Sequence, residues 1–348
     1  LCHSDEHFRV SDMGADPDED TGTFDPRLFP RVGGHEGAGI VVDVGPGVRG
    51  LEAGDHVAAS FFPVCSHCRM CITGKTNLCD LGAAIFAPGQ ISDGTARYHV
   101  KGHDLHAMAK LGTFSEYGVV HVTSLVKVDA DLPLAAVALV SCAVTTGWGS
   151  AVYRAEVAPG DTVVVVGVGG VGMNAVQGAR MAGAKNIVAV DPVAFKQKAA
   201  GDFGATHSAA SMEEAMDLVT DLTLGRMADA VILVPSVMYG ELLGPALSLT
   251  GKGGTCVVTG VAPQSQTECS LNLFELAMWQ KEIRGVVFGA ANPGYDIPNL
   301  LGLYRSGRLK LDELITRTYR LDQVNQGYRD MLDGVNIRGV IELTSLPG

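Results

Sequence analysis

The stretch Thr162–Gly172, TVVVVGVGGVG, decides the fold. Thr162–Val166 is a continuous β-branched run, the pattern of a parallel strand buried on both faces. Gly167-Val168-Gly169-Gly170-Val171-Gly172 follows at once, then a helix to about Met181. A lone G-x-G-x-x-G says little. Here it lies between strand and helix, and Asp191 ends the next strand, Ile187–Val190, nineteen residues beyond the last glycine. That is the context of a dinucleotide fingerprint. Gly167, Gly169, Gly170 and Gly172 let the backbone approach a pyrophosphate at the helix N-terminus, and Asp191 accepts both ribose hydroxyls. A 2′-phosphate would meet that carboxylate as a like charge, and Pro192 brings no cation, so NAD is expected over NADP. Lys196, one turn on, either binds a ribose oxygen or points to solvent.

Further αβ units follow this one. Strands are expected at Asp229–Val234, Thr255–Thr259, Ile283–Phe288 and Arg338–Leu343, and helices near Tyr239–Leu249, Leu271–Gln280 and Asp322–Leu332 with Asp322 as N-cap. Upstream the grammar changes. Residues 33–59 read as short strands joined by tight turns such as Gly45-Pro46-Gly47, and Tyr117–His121 reads as another strand. Residues 133–148 are apolar and alanine-rich, a helix leading into Cys142.

Within that upstream part lies VCSHCRMCITGKTNLC, which places Cys65, Cys68, Cys71 and Cys79 in a C-x2-C-x2-C-x7-C pattern. Four thiolates close a tetrahedral zinc site, leaving no open position, so such a metal holds the backbone and does no chemistry. A disulfide pair is the alternative, and the dense spacing and non-secreted character of the chain favour metal. At the other end, Leu1–His7 reads LCHSDEH, a density of polar groups that needs metal, water or ligand to satisfy it. His35 and Glu36 follow a glycine pair, and Cys142 precedes Thr145-Thr146-Gly147. Cys142 reads as a metal ligand in preference to a buried free thiol. His99, His103 and His106 fit no helix-borne metal pair and read as surface groups or as groups that support a ligand from behind.

With 348 residues, 47% hydrophobic and 18% charged, the chain has material for two cores. Its net charge of −12 argues against nucleic acid or an anionic membrane as partner, and no apolar run is long enough to span a bilayer. Eight cysteines in such a chain point to metal or catalysis and to a cytoplasmic location. Residues 12–30, with six acids and three prolines, form an aperiodic insertion. The chain opens at Leu1 inside a motif, so upstream residues are expected.

The order CHSD, GHE, CxxCxxCxxxxxxxC, TTGWG and GVGGVG resembles the zinc-dependent alcohol dehydrogenases of the medium-chain dehydrogenase/reductase superfamily, over nearly the whole chain. The resemblance implies an α/β protein. A Rossmann domain with a doubly wound parallel sheet, at 144–287, interrupts a mostly-β GroES-like catalytic domain made of 1–143 and 288–348. It implies Cys2, His35 and Cys142 as ligands of a catalytic zinc, with the four-cysteine lobe as a second, structural zinc. Ser4 matches the hydroxyl that accepts the substrate proton, and His7 the outer end of a relay to solvent. Asp5 and Glu36 match carboxylates behind the metal, His3 and Arg338 contacts to the cofactor pyrophosphate, and Thr146 and Val171 neighbours of the nicotinamide. Phe61 falls where the family lines its substrate pocket, or else simply packs. The implied reaction is hydride transfer between a small alcohol held on zinc and NAD, reversible from the aldehyde.

The long acidic insertion and the stretches CHSDEH, SDGTARY and MAKLGTFSEY look most like the actinobacterial nitrosoaniline-dependent enzymes. These are nicotinoproteins, which keep NAD bound and pass electrons to an external acceptor. The insertion would then act as a lid, against the plainer reading of a solvated loop. A homodimer or homotetramer is expected from the family. Two rival readings remain: a thiol-adduct (glutathione-type) formaldehyde dehydrogenase, and a non-catalytic zinc- and NAD-binding protein.

Overall fold

Valine-rich strands with a polar residue only at their ends have nowhere to go but the middle of a sheet covered on both faces. In the computed structural model, which describes residues 1–10, 13, 29–85 and 87–343 (side chains of 83 and 84 excepted), Thr162–Val166 is the buried inner strand of such a sheet. Six parallel strands lie in the order Glu282–Gly285, Thr250–Val258, Ala228–Leu233, Thr162–Val166, Asn186–Val190 and His207–Ala209. The strand order reverses beside Thr162–Val166, which is where doubly wound sheets bind their ligands. Val164, Val188, Val231, Leu233, Ala246 and Leu249 pack in the core on this sheet.

The chain divides into two compact units. One is Ala143–Ala291, which carries this sheet; the other combines the chain up to Cys142 with Asn292 onward. The second unit is built from small sheets. Gly37–Ile40, His56–Ala59 and Leu125–Val128 pair antiparallel, Tyr98–Val100 pairs with His103–Ala107 next to Arg31–Val32, and Ile315–Tyr319 runs parallel to Arg338–Ile341.

Several expected elements differ, for local reasons. The helix expected over 133–148 breaks into Leu134–Val140 and Ala143–Gly149. At the break, Ser141 Oγ donates to Ala138 O (2.5 Å) and accepts from Gly37 N–H (3.2 Å), a side-chain competitor for the helix ladder. Tyr117–His121 is not a strand. Tyr98 Oη lies 3.2–3.4 Å from the carbonyls of Leu111, Gly112 and Tyr117, giving this segment a hydroxyl in place of a strand partner. Asp322 pairs with Arg320 (Nε–Oδ1 3.0 Å) instead of capping, and the helix proper is Val324–Leu332. Met212–Thr223 is a helix that periodicity alone did not announce, although Ser211 caps it by accepting Glu214 N–H and Glu214 Oε2 reaches back to Ala210 N–H. The acidic insertion lies outside the described residues except for Met13, Phe29 and Pro30. No single described helix is long and apolar enough to cross a membrane.

Candidate active site

A run with two C-x2-C steps can only wrap tightly, and the backbone turns its own N–H groups onto the sulfurs. Cys65 N–H donates to Cys79 Sγ (3.3 Å), Cys68 N–H to Cys65 Sγ (3.3 Å) and Cys71 N–H to Cys68 Sγ (3.5 Å). The Cys65–Cys71 and Cys68–Cys79 sulfurs are 4.0 and 3.9 Å apart. A disulfide needs about 2.05 Å. The edge of a tetrahedron with Zn–S of about 2.3 Å is roughly 3.8 Å, so the lobe fits zinc and not a pair of disulfides. Backbone N–H donors at Asp80 and Cys71 hold the Cys68 thiol down at about 6, while burial pushes Cys71 up to about 12.

The second cluster is assembled from distant segments. Cys2 precedes the short helix His3–Arg9, His35 leads into the strand Gly37–Ile40, and Cys142 sits at the helix break described above. Donor atoms of Cys2, His35, Glu36 and Cys142 all lie within 4.8 Å of one another, and Cys2, His35 and Cys142 are buried. Asp5 fixes the imidazole. Its Oδ2 is 2.6 Å from His35 Nδ1 and its Oδ1 accepts Gly34 N–H (2.6 Å). That leaves His35 Nε2 buried with no partner among the described residues. A buried nitrogen lone pair beside two thiols is the donor set of a zinc with one position still open. The charge is set for a cation as well. The Cys142 thiol, donating to Cys2, holds the Cys2 pKa well below the ordinary thiol value, against the effect of burial. Burial opposes charge on His35, yet Asp5 and Cys2 raise its pKa well above the usual value, so the ring attracts a proton at the position that a metal cation would take.

Behind the cluster, Glu36 forms a buried ion pair with Arg338. Burial works against the Arg338 charge, and Glu36, Cys2 and Cys142 more than restore it. Ser4 Oγ lies 3.7 Å from Cys2 Sγ. The Phe61 ring meets the His35 ring edge-on, with centroids 5.5 Å apart. His3 and His7 face each other with centroids 6.3 Å apart. His7, expected toward solvent, is buried, because its helix turns His7 and Phe8 inward and Arg9 outward.

In the sheet unit, Gly167 has φ +88° and the carbonyl of Val234 where a Cβ would stand, so only glycine serves. Gly169, the N-cap of helix Gly170–Ala182, has open space on that side: apart from its chain neighbours, no atom of the described residues lies within 4 Å of a Cβ built there. This free approach to a helix N-terminus fits a dinucleotide pyrophosphate. Asp191 Oδ2 accepts Val168 N–H (3.0 Å) and Oδ1 accepts Val193 N–H (2.9 Å), which fixes the carboxylate while leaving lone pairs for ribose hydroxyls. Lys196 is half-buried on the first turn of helix Ala194–Phe203. Thr146 and Val171 lie on two helices in contact at Gly147, where the Val171 carbonyl leaves no room for a side chain.

Sequence reasoning missed the supports of His35. Thr113 N–H and Phe114 N–H donate to the carbonyls of Gly34 and Gly33 (both 3.0 Å), and Thr113 Oγ1 to that of Glu36 (2.7 Å). Only the tertiary fold brings these segments together, so no local signal marks them.

Family models described as an alcohol dehydrogenase GroES-like domain and a zinc-binding dehydrogenase match residues 1–130 and 170–306. An NDMA-dependent alcohol dehydrogenase of Amycolatopsis methanolica is 50% identical over 98% of this chain and 88% of its own length. Alcohol dehydrogenase B of Mycobacterium tuberculosis is 46% identical over 99% of this chain and 89% of its own. A solved structure from Burkholderia ambifaria, an alcohol dehydrogenase zinc-binding domain protein, superposes with TM-score 0.88 at 31% identity, covering 99% of this chain and 89% of that one. With the donor sets and the nucleotide loop already in place, these likenesses settle the family: the chain belongs to the zinc-dependent alcohol dehydrogenases of the medium-chain superfamily, oxidoreductases acting on CH–OH groups.

Proposed function

We propose that Cys2, His35 and Cys142 form the catalytic zinc centre of an NAD-linked dehydrogenase of small alcohols, and that Cys65, Cys68, Cys71 and Cys79 hold a structural zinc. The observation that carries this reading is the convergence of two buried thiols on the buried His35 Nε2, which has no partner in the hydrogen bonds of the described residues. When bound, zinc supplies Lewis acidity that makes an alcohol acidic near neutral pH, and NAD supplies the hydride acceptor. The chain's own residues do the rest. Asp5 holds His35 in the tautomer whose Nε2 is free. Ser4, beside Cys2, takes the hydroxyl proton of the alcohol and hands it on toward His7. Phe61 walls the alcohol's side chain against His35. Glu36 and Arg338 balance charge behind the metal, and His3 and Arg338 serve the pyrophosphate of NAD. Asp191 and Lys196 take the adenosine ribose, and Gly167, Gly169, Gly170 and Gly172 give the pyrophosphate its backbone cradle.

We further infer that NAD stays bound through turnover and is reoxidised in place by an external acceptor, in a cytoplasmic homodimer or homotetramer. The 50% likeness to a relative described as NDMA-dependent supports the external acceptor. The test is to desalt the purified protein, denature it and assay the supernatant for nicotinamide nucleotide. Near-stoichiometric NAD(H), with turnover that needs an added artificial acceptor, is expected; an empty protein that steadily reduces free NAD overturns it. Asp191 is expected to favour NAD over NADP by at least about tenfold, or roughly 1.4 kcal/mol. Asp191→Ser should narrow that gap in binding titrations of cofactor-stripped protein, and equal affinity of the unmutated protein for both cofactors would refute the assignment.

A further inference from the structure

Tyr328 Oη is buried and has no hydrogen-bond partner among the described residues. Burying a hydroxyl without a partner is unfavourable, so one in that state points to something it donates to. Its surroundings say what. The Tyr328 ring meets Phe114 edge-on, with centroids 6.1 Å apart. A Cβ built on Gly33 would lie 2.9 Å from the Phe114 ring and 3.6 Å from Asp5 Oδ1, so ring and carboxylate flank the same backbone that presents His35. The preceding residue, Gly327, packs against Leu1, next to Cys2, so the helix Val324–Leu332 passes over the N-terminal ligand.

We infer that Tyr328 is a positioning residue of the buried zinc centre, donating its hydroxyl hydrogen through one bridging water to the Asp5 carboxylate that orients His35. The inference rests on the zinc reading of the Cys2–His35–Cys142 cluster. Burial first, then the negative charges of Asp5, Cys2 and Glu36, raise the phenol's pKa, so the group keeps its proton and stays a donor. Asp5 already accepts from His35 and Gly34, and a third donor fixes the plane of its carboxylate.

Tyr328→Phe removes the hydroxyl and keeps the ring on Phe114. The test is release of zinc from the purified holoenzyme to a chelating dye. The release phase belonging to the buried centre is identified as the one missing in Cys142→Ala. In Tyr328→Phe that phase should run at least about tenfold faster, the range in which such outer partners act on metal affinity. The four-cysteine phase and the melting temperature should not move. An unchanged release rate, with a melting temperature equal or higher, overturns the inference, since that is the result of deleting an idle hydroxyl. Acceleration of both phases together also overturns it, by showing general loosening. A wild-type protein with fewer than two zincs per chain sinks the site reading and this inference with it; two zincs with an unchanged rate sinks the inference alone.

Discussion

All four donors of the Cys65–Cys79 cluster come from fifteen consecutive residues, whereas Cys2, His35 and Cys142 are brought together by the fold. In the first cluster the chain's own N–H groups point at the sulfurs, and no outer carboxylate is involved among its described hydrogen bonds. In the second, an outer layer does the holding: Asp5 on His35, Arg338 on Glu36, and residues 113–114 on the His35 loop. One cluster is therefore closed and makes its own geometry. The other has its geometry imposed from outside, which is what the catalytic centre proposed above, with its exchangeable fourth position, would require.

The largest expected effect separates the two. Cys71→Ala removes a ligand from the self-made cluster and should destabilise the fold by several kcal/mol, because structural zinc in small modules contributes about 10–16 kcal/mol of binding free energy to folding. Cys142→Ala should leave the protein folded with one zinc fewer, and lower turnover at least about 1000-fold, or roughly 4 kcal/mol of barrier. Thermal melts followed by circular dichroism, with zinc counted per chain, read both. A Cys142→Ala protein with full activity, or a Cys71→Ala protein with an unmoved melting temperature, would erase the distinction.

A smaller effect tests the imposed geometry. In Asp5→Asn the amide lacks the charge that holds His35 Nδ1–H, and an NH2 group turned toward the ring favours the tautomer that blocks Nε2. Zinc affinity of the buried centre should fall about 10–100-fold, with the four-cysteine zinc retained. Equal loss at both centres in a chelator titration would mean that the outer layer is not specific to one of them.

The same contrast explains what was legible in the sequence. Thr162–Gly172 and Cys65–Cys79 could be read because strand, loop and cluster are each made within a dozen or so residues. Ser211 and Glu214 could have been read as the start of helix Met212–Thr223 for the same reason. Cys142 was read as a ligand from its neighbours, Cys2 and His35 were nominated through resemblance, and the convergence of the three is a property of the fold. Thr113, Phe114 and Tyr328 were invisible. Their partners, the carbonyls of Gly33, Gly34 and Glu36 for the first two and the Phe114 ring for Tyr328, lie far off in the chain, and only the fold brings them near. The break at Ser141 was lost because periodicity over 133–148 is intact, and only the hydroxyl's two bonds, one to a distant strand, interrupt it.

The smallest expected effect concerns Phe61, which touches the second cluster without belonging to it. Its ring lies edge-on to His35 and 4.8 Å from the Phe62 ring. An aromatic pair of this kind contributes about 0.5–1.5 kcal/mol beyond its area, so Phe61→Leu should change kcat/KM by about two- to tenfold. If the ring walls the alcohol, the change falls mainly on KM and differs between a short primary alcohol and a bulky one, because the added volume favours the larger substrate. Zinc content should stay at the wild-type value, since Asp5 and the backbone bonds of residues 33–36 hold His35 without help from the ring. Steady-state kinetics on the two alcohols, with metal analysis of the same preparation, decide between wall and prop. A uniform fall in kcat with loss of buried zinc would make Phe61 a prop for His35, and would show that the second cluster depends on packing as well as on its hydrogen-bonded outer layer.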